Sequence, residues 1–270
     1  LQTGENVRQP PPGDADQVVT DCPGDPTDPA TWRQRCTVAY LDEPPYSMPL
    51  AGAAPTGCDI ELTGMVLGAL GVRRVDFVLT TFGELIDGVT ARRWHINAPM
   101  FITAERSRRV RFSVPVWAAT DSFIVRVNDV RDFTSYEAIA DDDSIRLAAV
   151  TGQIQVETAL RAGVPNDRIV EFADQDAAAA AVLAGDADAS VSTAPGNVAY
   201  IARLGDPRLV SVADSRAGER SGLPLGAFSF HRRSRELARA FDGQLRRILG
   251  TAGHLKMMAR YGFDEAALRP

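Results

Sequence analysis

Apolar positions along the chain fall into short runs of two periods, and the two kinds alternate. "CTVAYL" (36–41) is a continuous apolar run of strand length, and it ends at "DEPPYSMP", where Pro44 and Pro45 predict an extended, non-helical loop. "DIELTGMVLGALGV" has helical spacing at Ile60, Leu62, Met65, Val66 and Leu70 and stops at Gly71. "RVDFVLT" predicts a strand, "FGELIDGVTAR" a short helix, and "WHINAPMF" a strand that runs into an arginine-rich turn. Strand and helix therefore alternate, which is the pattern of a mostly parallel sheet with helical crossovers.

The pattern then starts again. "DSFIVRVND" is a long strand, followed by alternating helices and strands through "RLVSVA" (208–213). "GAFSFHR" is one further strand, and from "SRELARAFDG" onward the chain is helical to its end. Two α/β units joined by extended segments near 120–128 and 224–231 predict two lobes, a two-stranded hinge and a cleft between them, a common place for a small ligand. The expected boundaries are an extended proline-rich leader over 1–35, a first lobe over 36–121 and 232–270, and a second lobe over 122–231 that includes the hinge strands.

The 270 residues suffice for two lobes of about 100 residues each. The net charge of −6, with arginines scattered among acids, argues against nucleic acid as a partner. Lys256 is the only lysine, a bias that reads as a GC-rich genome rather than a function. No apolar run approaches the ~18 residues of a membrane span. The leader, with Pro10, Pro11, Pro12, Pro23, Pro26 and Pro29, has the character of a mature end left once a signal or lipid anchor is removed. Cys22, Cys36 and Cys58 permit three single-disulfide pairings. Cys22 with Cys36 is preferred, because that bond would pin the leader to the first strand; three unpaired thiols are the competing reading. No CxxC or Cys/His grouping points to zinc, and no cofactor is expected.

The turn "NAPMFITAERSRRVRFS" (97–113) raises a sharper question. Crowded arginines on a loop are ordinarily solvated, whereas one arginine beside aromatic rings in a dry cleft recognises an anion. Tyr46, Phe82 and Phe101 come from three loops at one edge of the first sheet, and aromatic faces attract a delocalised cation by about 0.5–2 kcal/mol each. In the second unit "VTGQIQ" runs from a strand into a helix, so the N–H groups of Gly152, Gln153 and Ile154 are placed to complete a carboxylate site. The ordinary strand-to-helix turn is the competing reading there.

Three segments carry a family resemblance. "TGCDIEL" resembles the G-F-D-x-D/E-L signature of the polar amino-acid class of ABC-importer substrate-binding proteins. "ITAERSRRVRFSVPVW" resembles that family's I-T-x-E-R-x-x-x-x-x-F-S-x-P-Y segment, and "GTAGHLKMMARYGF" its closing helix. The match covers about residues 36–265. "VLTTFGELIDG", "MFITAER" and "AGVPNDRIVEFADQDAAAAAVLAGDADA" further resemble the ectoine- and hydroxyectoine-binding members.

The resemblance implies an α/β, two-lobed fold of the type II periplasmic-binding-protein kind. It implies a non-catalytic protein, monomeric and periplasmic or extracellular, that closes around a small zwitterion and presents it to a membrane permease. Arg106 would grip the ligand carboxylate, while Arg108, Arg109 and Arg111 would be solvated. Tyr46, Phe82 and Phe101 fall on the positions of an aromatic box around the cation. Glu43 would face the cationic end, with Asp42 as the exchange candidate, and Thr193 would close over the ligand. Phe101 and Thr193 stand where plain amino-acid binders usually have threonine and aspartate, which argues against an α-amino acid. Two departures stand out: Trp94-His95-Ile96 where the family has Gly-Asp-Ile or Phe-Asp-Ile, and Pro99 where it has Gly. The segment is also one residue shorter than in ectoine binders. His95 reads as structural.

Other classes give different expectations. Some dehydratases resemble these proteins, but acid–base work needs positioned titratable groups, and only Glu43 and Asp42 are candidates. A plain polar amino-acid binder, or the sensor domain of a receptor, would use the same binding physics.

Overall fold

The computed structural model describes residues 28–217, 223–263 and 268. Cys22, and with it the expected Cys22–Cys36 pairing, lies outside the described residues; Cys36 is buried. The end of the expected extended leader is instead a helix, α1 (Pro29–Gln34). Proline opens it, and the Asp28 carboxylate accepts the Ala30 N–H at 2.9 Å. This short helix buries Trp32 completely in the first core.

β1 (Cys36–Tyr40) is followed by the hairpin β2 (Met48–Leu50) and β3 (Ala53–Thr56). Next come α2 (Cys58–Ala69), β4 (Val75–Leu79), α3 (Glu84–Thr90) and β5 (Ile96–Phe101). Then α4 (Ala104–Arg109), β6 (Val110–Phe112) and β7 (Trp117–Ala118) complete this half. The second half begins with β8 (Asp121–Arg126), α5 (Tyr136–Asp141), β9 (Leu147–Val150) and α6 (Ile154–Arg161). It continues with β10 (Ile169–Phe172), α7 (Gln175–Ala184), β11 (Ala189–Thr193), α8 (Ala194–Leu204) and β12 (Leu209–Ala213). β13 (Leu225–His231), α9 (Arg235–Ile248) and α10 (Ala252–Ala259) close the chain.

These strands form two main sheets. The first runs β4-β1-β5-β13-β6, with β7 also pairing β13; the second runs β10-β9-β11-β8-β12. β13 was expected in the second lobe, as a hinge strand. It lies instead inside the first sheet, antiparallel to β5, β6 and β7. Its Ala227, Phe228 and Phe230 are fully buried there, an apolar burial that an interlobe linker would forgo. The two crossings therefore fall between β7 and β8 and between β12 and β13. Each sheet carries cores on both faces.

Both departures from the family pattern are absorbed into the first lobe. The Trp94 ring lies over Gly88 on α3, where any side chain would collide with it, and its indole N–H donates to Asn97. Buried His95 accepts the Thr37 N–H through Nδ1 at 3.0 Å, the structural part expected of it. Pro99 has no N–H to give, and it sits where the β5–β13 register shifts.

Candidate functional site: an aromatic cavity between the lobes

Five chain segments converge on the cleft, and each leaves the carboxyl end of a parallel strand. β1 leads to Glu43 and Tyr46, β4 to Phe82, β5 ends at Phe101, β9 leads to Gly152 and Gln153, and β11 ends at Thr193. This is where open α/β sheets place their ligands.

The loop after β1 is a tight turn rather than the extended segment that two prolines predict. Glu43 donates its N–H to the Ser47 carbonyl at 2.8 Å and accepts the Ser47 N–H at 3.1 Å. Pro44 and Pro45 occupy its interior, where no backbone donor is required. Gly57 holds this turn against α2. At φ +127° a side chain there would fall 2.2 Å from the Tyr46 carbonyl oxygen, which accounts physically for the glycine of "TGCDIEL".

The cavity is lined by Glu43, Tyr46, Phe82, Phe101, Gln153 and Thr193, all anticipated from the sequence, together with Pro99, Met100, Trp117, Ile154 and Gln155. The cavity they enclose is tight, about 30 Å³. Trp117, which sequence reasoning missed, organises the aromatic wall. Its ring lies 4.9 Å from that of Tyr46 and 5.3 Å, edge on, from that of Phe101. Its indole N–H donates to the buried Asp59 carboxylate at 3.1 Å. The only available signal was its place at the end of "FSVPVW", and that segment names no role for it.

Arg106 is buried, while Arg108, Arg109 and Arg111 are exposed. It leaves β5 on a short helix, not a bare turn, whose N-cap Thr103 accepts the Arg106 N–H at 3.1 Å. The guanidinium stands behind the lining residues. Nη1 donates to the Phe101 carbonyl and Nη2 to the Gly152 carbonyl across the cleft, both at 2.8 Å. The group also lies 5.1 Å from the centroid of the Phe82 ring. Burial pushes its pKa down to about 10, with Glu105 and Glu157 pulling the other way.

The helix-terminus site expected at Gly152, Gln153 and Ile154 takes a different form. Gly152, at φ +80°, turns its carbonyl to Arg106, and the Gln153 N–H donates to Val150 at 3.1 Å. The Gln153 side chain crosses the cleft instead, donating to the Glu43 carboxylate at 3.3 Å. Thr193 also bridges the lobes: its hydroxyl bonds the Tyr46 phenol at 3.0 Å and caps α8 by accepting the Gly196 N–H at 3.2 Å. Asp42 turns away, paired with Arg203, which leaves Glu43 as the carboxylate of the cavity.

Electrostatics follow from dryness. Burial pushes the Glu43 carboxyl up to about 7, opposed by the Gln153 amide. Burial likewise pushes up the Tyr46 phenol, which stays protonated, and the Asp59 carboxyl. Among the described residues, no group of three or more His, Cys, Asp or Glu side chains is placed to hold a metal ion. The arrangement sets aromatic faces and one carboxylate, that of Glu43, around a small dry space.

The chain is similar to known proteins over most of its length. The sequence is 31% identical over 236 residues to a probable amino-acid ABC transporter periplasmic-binding protein, y4tE, of Sinorhizobium fredii (strain NBRC 101917 / NGR234), covering 84% of this chain and 76% of that protein. Among solved structures, EhuB in complex with hydroxyectoine is similar at a TM-score of 0.80 and 23% identity, over 88% of this chain and 92% of that one. An ancestral arginine-binding protein bound to arginine is similar at a TM-score of 0.74 and 21% identity, over 85% and 99%. The fold is therefore that of the type II periplasmic-binding proteins. The sequence model of one family matches residues 36–263, and the chain belongs to the bacterial extracellular solute-binding proteins, family 3.

Proposed function

We propose that the chain is the extracytoplasmic solute-binding protein of an ABC importer, and that it captures a small zwitterion of the ectoine or hydroxyectoine kind. The observation that carries this reading is the convergence of Tyr46, Phe82, Phe101 and Trp117 on a cavity whose one carboxylate is Glu43. The rings face the cationic end and exclude water, and Glu43 supplies the opposite charge. Arg106 receives the ligand carboxylate with the N–H groups that the Phe101 and Gly152 carbonyls leave unused. Thr193, Gln153 and the Gly152 backbone close from the second lobe. Contacts made from both lobes at once favour the closed population, which is the form offered to a membrane permease. The protein acts as a monomer on the outer side of the membrane. Hydroxyectoine in the structurally similar EhuB supports the ligand class.

A plain polar amino-acid binder is the second reading, favoured by the similarity to y4tE, a probable amino-acid ABC transporter periplasmic-binding protein. Thr193 counts against it, because a hydroxyl stands where an α-ammonium needs a carboxylate. Enzymatic turnover is not proposed. The titratable groups lining the cavity are Glu43 and a Tyr46 phenol that burial keeps protonated.

A thermal-shift panel separates the readings. Ectoine or hydroxyectoine should raise the melting temperature more than glutamine, histidine or arginine does. A response confined to a standard amino acid would establish the second reading instead.

A further inference from the structure

Gln155 lies at the start of α6, fully buried and lining the cavity. Its amide orientation is imposed from behind. Nε2 donates at 2.8 Å to Oδ1 of Asp121, whose Oδ2 accepts the Tyr136 phenol at 2.7 Å. Turning the amide over would set its oxygen against a carboxylate oxygen, so the oxygen is held on the other side. That oxygen, Oε1, is buried and has no hydrogen-bond partner among the described residues. Gln153 repeats the arrangement: its Nε2 faces Glu43, and its Oε1 is likewise buried without a partner among the described residues. A buried acceptor left unmatched is costly, and it discriminates strongly against any ligand unable to supply a donor.

We propose that Gln155, with Gln153 beside it, is the specificity-determining acceptor of the cavity, selecting cations that carry N–H or O–H donors over fully alkylated ammonium groups. The inference rests on the zwitterion reading above and narrows it. Aromatic walls alone would accept a protonated cyclic amidine and a trimethylammonium group alike, since both are diffuse cations. The two amide oxygens break that tie, because a trimethylammonium group has no hydrogen to give them.

The test is calorimetry on the whole chain with two probes: hydroxyectoine, whose ring bears N–H and O–H donors, and glycine betaine, which bears none on nitrogen. The expected result is at least tenfold tighter binding of hydroxyectoine. Gln155→Met, close in volume and without an acceptor, should shrink that gap about tenfold while leaving betaine affinity nearly unchanged. Asp121→Asn is the second variant. It releases the amide to turn over, so the preference for hydroxyectoine should fall there too, although residue 155 is intact. A purely structural role would weaken both probes equally in Gln155→Met, and that outcome overturns the proposal, as does equal binding of both probes by the unaltered protein. If neither probe binds and a standard amino acid does, the zwitterion reading itself fails and takes this inference with it.

Discussion

Tyr46 and Thr193, 147 residues apart in the chain, bring their hydroxyls to 3.0 Å across the cleft. One belongs to a turn of the first lobe and the other ends a strand of the second, so this bond exists only when the lobes are together. A hydrogen bond of this kind is worth about 0.5–1.5 kcal/mol net. Tyr46→Phe keeps the aromatic wall and removes the bond. Ligand affinity should fall about two- to tenfold, and small-angle scattering should show a larger radius of gyration. Thr193 is the poorer target, since it also caps α8. Unchanged affinity and radius together would mean that the bond does not govern closure.

Arg106→Ala should reduce ligand affinity at least tenfold, an effect of about 1.4 kcal/mol or more, with circular dichroism still that of a folded protein. Arg106→Lys should not restore binding. A single ammonium cannot match the planar fork that serves the Phe101 and Gly152 carbonyls while lying against Phe82. Calorimetry giving wild-type affinity for Arg106→Ala would take this residue out of the site.

Binding should depend on pH through Glu43. Burial holds its carboxyl near 7, above its ordinary value of 4.5. A cationic ligand end favours the ionised form, so affinity should rise as pH climbs through about 7 and fall below it. Ligand-free stability should run in the opposite direction. The folded chain keeps a proton that the unfolded chain has released between about 4.5 and 7, so Glu43 adds stability as pH falls through that window and loses it as pH rises. Glu43→Gln should flatten both profiles. Titration calorimetry and thermal melts across the window check this, and an affinity independent of pH in the wild type would contradict it.

Gly226→Ala tests how Trp117 is held. A methyl at 226 would fall 2.3 Å from the indole ring, so one of the two must move. Overpacking of this kind costs about 1–3 kcal/mol, and the displaced ring is one that lines the cavity. Melting temperature should drop, tryptophan emission should shift, and ligand binding should be lost in a chain that still folds. Retained binding with an unshifted emission spectrum would show that the ring does not depend on this glycine.

The order and kind of the longer elements were legible in the sequence, because the strand period of two and the helix period of 3.6 are local properties, while the short α1, α4, β2, β3, β6 and β7 were not. "RIVEF" and "RLVSVA" are strands, and "IQVETALRAG" and "QDAAAAAVLAG" are helices, with only their ends displaced. Tyr46, Phe82 and Phe101 were legible as members of loops at one sheet edge, whereas Glu43, Thr193 and Arg106 were singled out by resemblance. What the local pattern could not contain was adjacency. β13 enters the first sheet between β5 and β6, from more than 100 residues further along the chain, and only that insertion puts Gly226 beneath Trp117. The direction of the Arg106 guanidinium, the choice of Glu43 over Asp42 and the Gln153 and Gln155 oxygens left without a partner among the described residues were decided in the same way. Each depends on partners supplied by another lobe or another element, and a hydrogen bond between distant residues leaves no period in a sequence.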